Sequence, residues 1–182
     1  MLKIIPATKD HLSALVNLGR KTFLESHGNS AAPADIQDYL DGHYTRQALS
    51  KELEAVHCHY DICFWMDEPV GFSKITFDQP IIVASYLDDI DQYGFKTGNY
   101  AKLDRIYILA EHHGKNMAQA MFERQRGAAI KHQQKGIWLY VWVENKRAIA
   151  FYEKMGFQKI GKYDFQISEK HSNPNWVMAL NL

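Results

Sequence analysis

The sequence predicts an α/β or α+β domain on a mixed sheet. Three observations predict it. Alternating or continuous apolar runs recur as strands, most clearly at residues 57–66 and 137–143. Apolar residues three and four apart mark helices, as in Leu12, Leu15, Val16 and Leu18. The strands are separated by helices along the chain rather than grouped. With 182 residues, 46% of them hydrophobic and 23% charged, residues 1–182 fit one ordinary domain with a packed core.

Residues 2–6 read as a short strand. Thr8 stands as the N-cap of an amphipathic helix over 9–24. Residues 27–33, with Gly, Asn, Ser and Pro, read as a loop. Helical pieces follow at 34–40 and 46–54, the second capped by Thr45 and carrying Leu49 and Leu53 on one face. Residues 57–66 alternate, with Cys58, Tyr60, Ile62, Phe64 and Met66 on one side. The turn is Asp67-Glu68-Pro69, and the return strand spans 70–77 with Gly71 inside it. Residues 78–99 are mixed, with helical character around 87–93. A strand at 103–109 runs into a turn at 110–114, and a long helix over 116–134 ends at Gly136. The apolar run 137–143 reads as a strand covered on both faces. A short helix at 147–155 has Gly156 as its C′ residue, and strands at 157–167 and 176–182 close the domain.

Charge narrows the partners. Lys plus Arg number 21 and Asp plus Glu number 21, so neither nucleic acid nor an anionic membrane is expected as a partner. Cys58 and Cys63 lie an odd number apart in one strand, on opposite faces, and read as reduced thiols. The first ten residues lack a signal-peptide apolar stretch, and no apolar run is long enough to span a bilayer, so the expected compartment is the cytoplasm. His57 and His59 share a strand face, but no ligand pattern beyond Asp61 accompanies them, so no metal is expected.

Two stretches carry chemistry. In the turn Glu111-His112-His113-Gly114-Lys115-Asn116-Met117-Ala118, free backbone N–H groups at a helix start make an anion site. Gly114 permits tight passage, Lys115 adds a cation, and Ala118 leaves room for a bulky ligand. The second stretch runs from Asn145 through Ala148, Phe151, Tyr152, Lys154 and Gly156 to Phe157. Ala148 and Tyr152 share a helix side, and the small Ala leaves space for a slender chain.

These stretches resemble the two signatures of the GNAT superfamily of N-acetyltransferases. In the first, Gln/Arg-x-x-Gly-x-Gly/Ala, His113 takes the Gln/Arg position, Asn116 the middle Gly and Ala118 the last. Asn is the non-Gly residue that best tolerates positive φ, so the turn still forms. The second, Asn-x-x-Ala-x-x-Phe-Tyr-x-Lys-x-Gly-Phe, is matched at every named position. Leu103-Asp104-Arg105-Ile106-Tyr107-Ile108 and the N-terminal third resemble the bacterial branch that includes polyamine N-acetyltransferases.

The resemblance implies a GNAT-like fold: a central mixed, mostly antiparallel twisted sheet flanked by helices. It implies acetyl-CoA as co-substrate and a primary amine of a small molecule as acceptor, with a polyamine one candidate and a homodimer a common assembly. Residues 113–118 would hold the phosphates, including His113, Gly114, Lys115, Asn116, Met117 and Ala118. Ile108, Leu109 and Ala110 would offer backbone groups to the pantetheine and polarise the thioester carbonyl. Asn145 would bond the pantetheine beside Ala148, with Lys154 a candidate phosphate contact. Tyr152 would protonate the departing thiolate as general acid. Lys102 stands where some members carry a basic Glu, which leaves Asp104, Glu25 and His27 as candidate bases. Acidic clusters at Asp35, Asp38 and Asp41 and at Asp88, Asp89 and Asp91 would suit a polyamine, and they equally suit solvated faces. Two other readings compete: a peptide or protein acceptor, and a degenerate acyl-CoA-binding or regulatory module without catalysis.

Overall fold

The computed structural model describes residues 1–87, 94–95 and 98–182. The helical character expected around 87–93, and Asp88, Asp89 and Asp91, lie outside the described residues apart from Leu87.

The strands are β1 (Leu2–Pro6), β2 (Cys58–Trp65), β3 (Glu68–Thr76), β4 (Ser85–Tyr86), β5 (Tyr100–Ile108), β6 (Gly136–Trp142), β7 (Gln158–Gln166) and β8 (Ser172–Asn181). They form one sheet in the order β1-β2-β3-β5-β6-β8-β7-β4. Every neighbouring pair is antiparallel except β5 with β6, so the mixed sheet with antiparallel bias is present. Helices α1 (Leu12–His27), α2 (Pro33–His43) and α3 (Arg46–Glu54) bury Leu15, Phe23, Leu40 and Leu49 against Ile62 and Phe72 on one face. Helices α4 (Met117–Lys131) and α5 (Lys146–Lys154) pack Phe122 and Ile149 against Leu103, Ile137 and Leu139 on the other.

Local chemistry sets most boundaries. Thr45 Oγ1 accepts from the Ala48 amide at 3.2 Å and starts α3 as the sequence predicts. Pro33 opens α2, where its missing N–H costs nothing. Elsewhere the boundaries move. A 3₁₀ turn over Lys9–His11 follows Thr8, so α1 begins at Leu12 and runs on to His27. The β2–β3 turn is Met66-Asp67, with φ of 51° and 65°, rather than Asp67-Glu68-Pro69. Two left-handed residues match the twist of a two-residue hairpin, so pairing resumes at Glu68. Helix α4 stops at Lys131, where Gln133 (φ 54°) supplies the left-handed exit, and Gly136 is already in β6. After α5, Gly156 (φ 95°) follows the C-cap residue Met155. Both cysteines are free, with Cys63 buried and Cys58 half-buried. Among the described residues no helix is long and apolar enough to cross a membrane.

Candidate active site

Strand β5 begins paired with β6 and then leaves it. The parallel ladder joins only Tyr100, Ala101 and Lys102 to Gly136, Ile137 and Trp138. Opposite β3, Lys74 faces Arg105 and Ile75 faces Leu103, so Asp104 is an extra, bulged residue. A bulge bends the strand that carries it. Beyond it the rest of β5 and Tyr140–Trp142 of β6 line opposite sides of a cavity of about 470 Å³.

One end of the cavity is the start of α4. Asn116 precedes the helix at φ 57°, and no side chain caps it. The first bond of the helix is the Ala120 amide to the Asn116 carbonyl at 3.0 Å, so the preceding amides have no helical partner. Gly114, with φ 77°, turns the chain into this start. Gly114, Asn116, Met117, Ala118 and Gln119 all line the cavity, and no acidic residue sits in the first turn. The geometry suits an anion.

His113 lines the cavity in a fixed tautomer. Its Nε2 lies 2.8 Å from the Ile108 carbonyl oxygen and therefore carries the proton. Its Nδ1 accepts from the Arg147 guanidinium. The imidazole thus ties the turn to the first turn of α5 and holds Arg147 at the cavity wall. Sequence reasoning missed Arg147, although its place between Asn145 and Ala148 put it beside the second signature. Lys115 turns away from the cavity, lying 3.2 Å from His112 Nδ1 and over the Trp65 ring. Lys154 is exposed at the far end of α5 and outside the cavity.

Helix α5 supplies the opposite wall. Asn145 Oδ1 accepts from the Ala148 amide at 3.1 Å and caps the helix. The Asn145 Nδ2 has no partner among the described residues and faces a cavity that Ala148, Phe151 and Tyr152 also line. The Tyr152 ring is held edge-on between Phe151 and Phe157, at 5.2 and 5.5 Å. Its hydroxyl makes no hydrogen bond among the described residues. Burial pushes the phenol well above its ordinary value, so it remains a neutral donor.

The backbone at the end of β5 is more occupied than the sequence predicts. The Leu109 amide donates to the Val70 carbonyl at 2.9 Å, and the Leu109 side chain packs in the α1–α3 core. The Ala110 amide donates to Glu25 Oε2 at 3.0 Å. Neither residue lines the cavity. Ile108 does, and the alternation of the antiparallel ladder turns its amide away from β3.

The candidate bases differ in how much they are engaged. Asp104 accepts from Thr76 Oγ1 at 2.6 Å and pairs with Lys102 at 3.4 Å and Lys74 at 3.8 Å. Glu25 holds the Ala110 amide. His27 lines the cavity, and burial lowers its imidazole to about 4, which leaves it neutral above that pH. Asp35, Asp38 and Asp41 do not line the cavity; Asp41 is tied to Arg20 and Gln37. His59 pairs with Asp61 at 3.5 Å, and among the described residues no group of three or more ligand side chains is placed to hold a metal.

Arg105, in the cavity wall, belongs to an ionic network. Arg105 Nη1 donates to Glu52 Oε2 at 2.7 Å and to the Tyr60 hydroxyl at 2.6 Å, and its Nη2 reaches Glu52 Oε1 at 3.3 Å. Burial opposes the Glu52 charge, but the Arg105 charge and hydrogen bonds, aided by Lys74, outweigh it and hold the carboxyl at about 2.

A cleft between parted strands, with an anion site at one end and an unpartnered tyrosine along it, suits an enzyme that takes an acyl group from a long phosphorylated carrier. Comparison with known proteins narrows the class. The model of the acetyltransferase (GNAT) family matches residues 21–157, and the chain belongs to that family. It is an acetyl-CoA-dependent N-acetyltransferase. It is 20% identical over 168 residues to an uncharacterized N-acetyltransferase of Lactobacillus delbrueckii subsp. lactis, covering 92% of this chain and 91% of that one. It is 32% identical over 81 residues to an uncharacterized N-acetyltransferase of Mycobacterium bovis, covering 44% of this chain and 51% of that one. Its fold is similar to that of the PaiA N-acetyltransferase of Thermoplasma acidophilum, crystallised with coenzyme A, with a TM-score of 0.75 at 17% identity over 100% and 99% of the two chains.

Proposed function

We propose that residues 1–182 form one N-acetyltransferase domain that moves the acetyl group of acetyl-CoA directly to the primary amine of a small molecule, with Tyr152 serving the leaving sulfur. One observation carries this reading: Tyr152 reaches the cavity with a neutral hydroxyl that bonds no group among the described residues. A core tyrosine normally finds a partner for its hydroxyl, so this one is free for a ligand. The phosphates fit the start of α4 with Arg147 beside it, and the pantetheine fits between β5 and Asn145.

In the proposed step the amine nitrogen attacks the thioester carbon and the carbon–sulfur bond breaks. The thiolate takes the Tyr152 proton, and the tyrosinate recovers one from the nitrogen, so a proton passes in net from amine to sulfur. The amine must arrive neutral. This relay lightens the demand on a separate base, which fits the engagement of Asp104 and Glu25 by other groups. A module that only bound acyl-CoA would have no use for the open hydroxyl.

Tyr152→Phe tests the reading. It is expected to slow thiol release by about 10²- to 10⁴-fold while acetyl-CoA binds nearly unchanged by calorimetry. A rate within threefold of the parent protein overturns the assignment.

A further inference from the structure

The cavity joins the two faces of the sheet. Its anion site lies with α4 and α5 on one face. On the other face it is lined by His27 at the end of α1, Ile167 just past β7 and Asn173 of β8. Ile167 packs in the α1–α3 core, which fixes the side on which this mouth opens. An amine that approaches the thioester from the side opposite its carrier enters here.

Hydrogen bonds tie the rim of this mouth together. On one side is Ser30, in the α1–α2 connection, whose amide donates to the His27 carbonyl at 2.9 Å. On the other is the β7–β8 turn, where the Ile167 and Ser168 amides donate to the His171 carbonyl at 2.9 and 3.1 Å. Two bonds cross between them. His171 Nε2 lies 2.9 Å from the Ser30 carbonyl oxygen, and Asn173 Nδ2 donates to Ser30 Oγ at 2.8 Å. A third locks the set, because His171 Nε2 is also 2.9 Å from Asn173 Oδ1. Both oxygens beside Nε2 are acceptors, so that nitrogen carries the proton.

Ser30 is 9% exposed and Asn173 3%, so these bonds are shielded from water. The crossing partners are 141 and 143 residues apart, so no local turn brings them together. Ser30 and His171 do not line the cavity themselves, whereas their neighbours His27, Ile167 and Asn173 do. The bonded set is therefore a strap over the rim rather than part of the wall.

Resting on the acetyl transfer proposed above, we propose that Ser30, His171 and Asn173 form a clasp that sets the size of the acceptor. The clasp opens to admit a compact amine and closes over it, whereas a chain continuing past the amine keeps it from closing. Closed, it also keeps water from the thioester. In that side reaction a water oxygen bonds the thioester carbon and the carbon–sulfur bond breaks. One water proton goes to the sulfur and the other to solvent as acetate forms.

The test labels the coenzyme A-loaded protein with diethyl pyrocarbonate near neutral pH and follows His27 by peptide mass mapping. With coenzyme A filling the α4 side, the reagent must pass the clasp. The Ser26 hydroxyl donates to the Thr22 carbonyl at 2.8 Å and accepts from His27 Nδ1, 2.7 Å away, so His27 Nε2 has the lone pair that the reagent needs. Each shielded neutral hydrogen bond shifts an opening equilibrium by roughly 2- to 10-fold. His171→Ala, which removes two, should label His27 about fivefold faster or more, with the exposed His57 as an unchanged control. His171→Gln keeps a donor at the same reach and should label within about twofold of the parent. Amine-free thiol release should rise in His171→Ala with the KM for acetyl-CoA unchanged, which also reports that the variant folds. Tetra-alanine should release thiol no faster than water does in the parent, and about fivefold faster in His171→Ala. Equal His27 labelling in the parent and His171→Ala, or turnover of tetra-alanine by the parent, overturns the proposal. Faster labelling in His171→Ala, with no thiol released by parent or variant with or without amine, upholds the clasp and overturns the acetyl-transfer reading instead.

Discussion

Replacing Glu52 with glutamine removes the one carboxylate that Arg105 grips with both guanidinium nitrogens, at 2.7 and 3.3 Å. The Arg105 side chain is only 9% exposed, so its charge would be left in a poorly hydrated site. The magnitude follows from the carboxyl itself. Moving it from 4.5 to about 2 corresponds to roughly 2.5 × 1.36, or about 3.4 kcal/mol, of preference for the charged form. Glu52 is 24% exposed, and Asp104 stays 3.8 Å from Lys74, so a loss of about 3 kcal/mol at pH 7 is expected. Because the folded value lies below the unfolded one, this stability is present above pH 4.5 and disappears as pH falls toward 2. Urea unfolding should therefore shift by about 1.5 M at pH 7, for a slope of about 2 kcal/mol/M. Between pH 4.5 and 2 the parent should lose stability faster than the variant. A loss under about 1 kcal/mol at pH 7, or equal pH slopes, refutes the reasoning.

Other expectations follow from single observations. Asn116→Ala, at φ 57°, should cost about 1 kcal/mol and lower Tm by about 2–4 °C, and Asn116→Gly should not. Gly71→Ala would place a Cβ 2.5 Å from the Tyr107 carbonyl oxygen, which cannot swing aside. It should cost about 2 kcal/mol or more in urea and raise the KM for acetyl-CoA by displacing β5. Burial lowers His27 from 6.5 to about 4, so its contribution is present above pH 6.5 and lost as pH falls through 4. Allowing for partial exposure it is about 2–3 kcal/mol, and His27→Gln should flatten the urea midpoint over that window.

How much was legible depends on the range of each interaction. The Thr45 cap, the residue types at Asn116 and Gly114 and the unbroken signature from Asn145 to Phe157 are written within one or two turns of chain, and the structure follows them. The β2–β3 turn and the end of α4 were misplaced for a local reason too. Met66 and Gln133 adopt left-handed backbone that their residue types do not advertise. Lys115 stands in the anion turn and Lys154 in the second signature, but where a flexible ammonium settles depends on the acceptors and rings within reach: Lys115 lies against His112 and Trp65, and Lys154 is outside the cavity.

By itself the sequence determined the sheet-and-helix pattern, the two signatures and through them the family, because these depend on periodicity, backbone preference and contiguous residue types. Only the tertiary structure decided which distant side chains share the cavity. It brought Arg147 to His113, Arg105 to Glu52, and the ring pairs of α1 and α2 into one stack. The cavity itself follows from the bulge at Asp104 and the parting of β5 from β6, which are set by the register of strands far apart in sequence. No single segment carries that register, which is why the cavity could be seen only in the folded molecule.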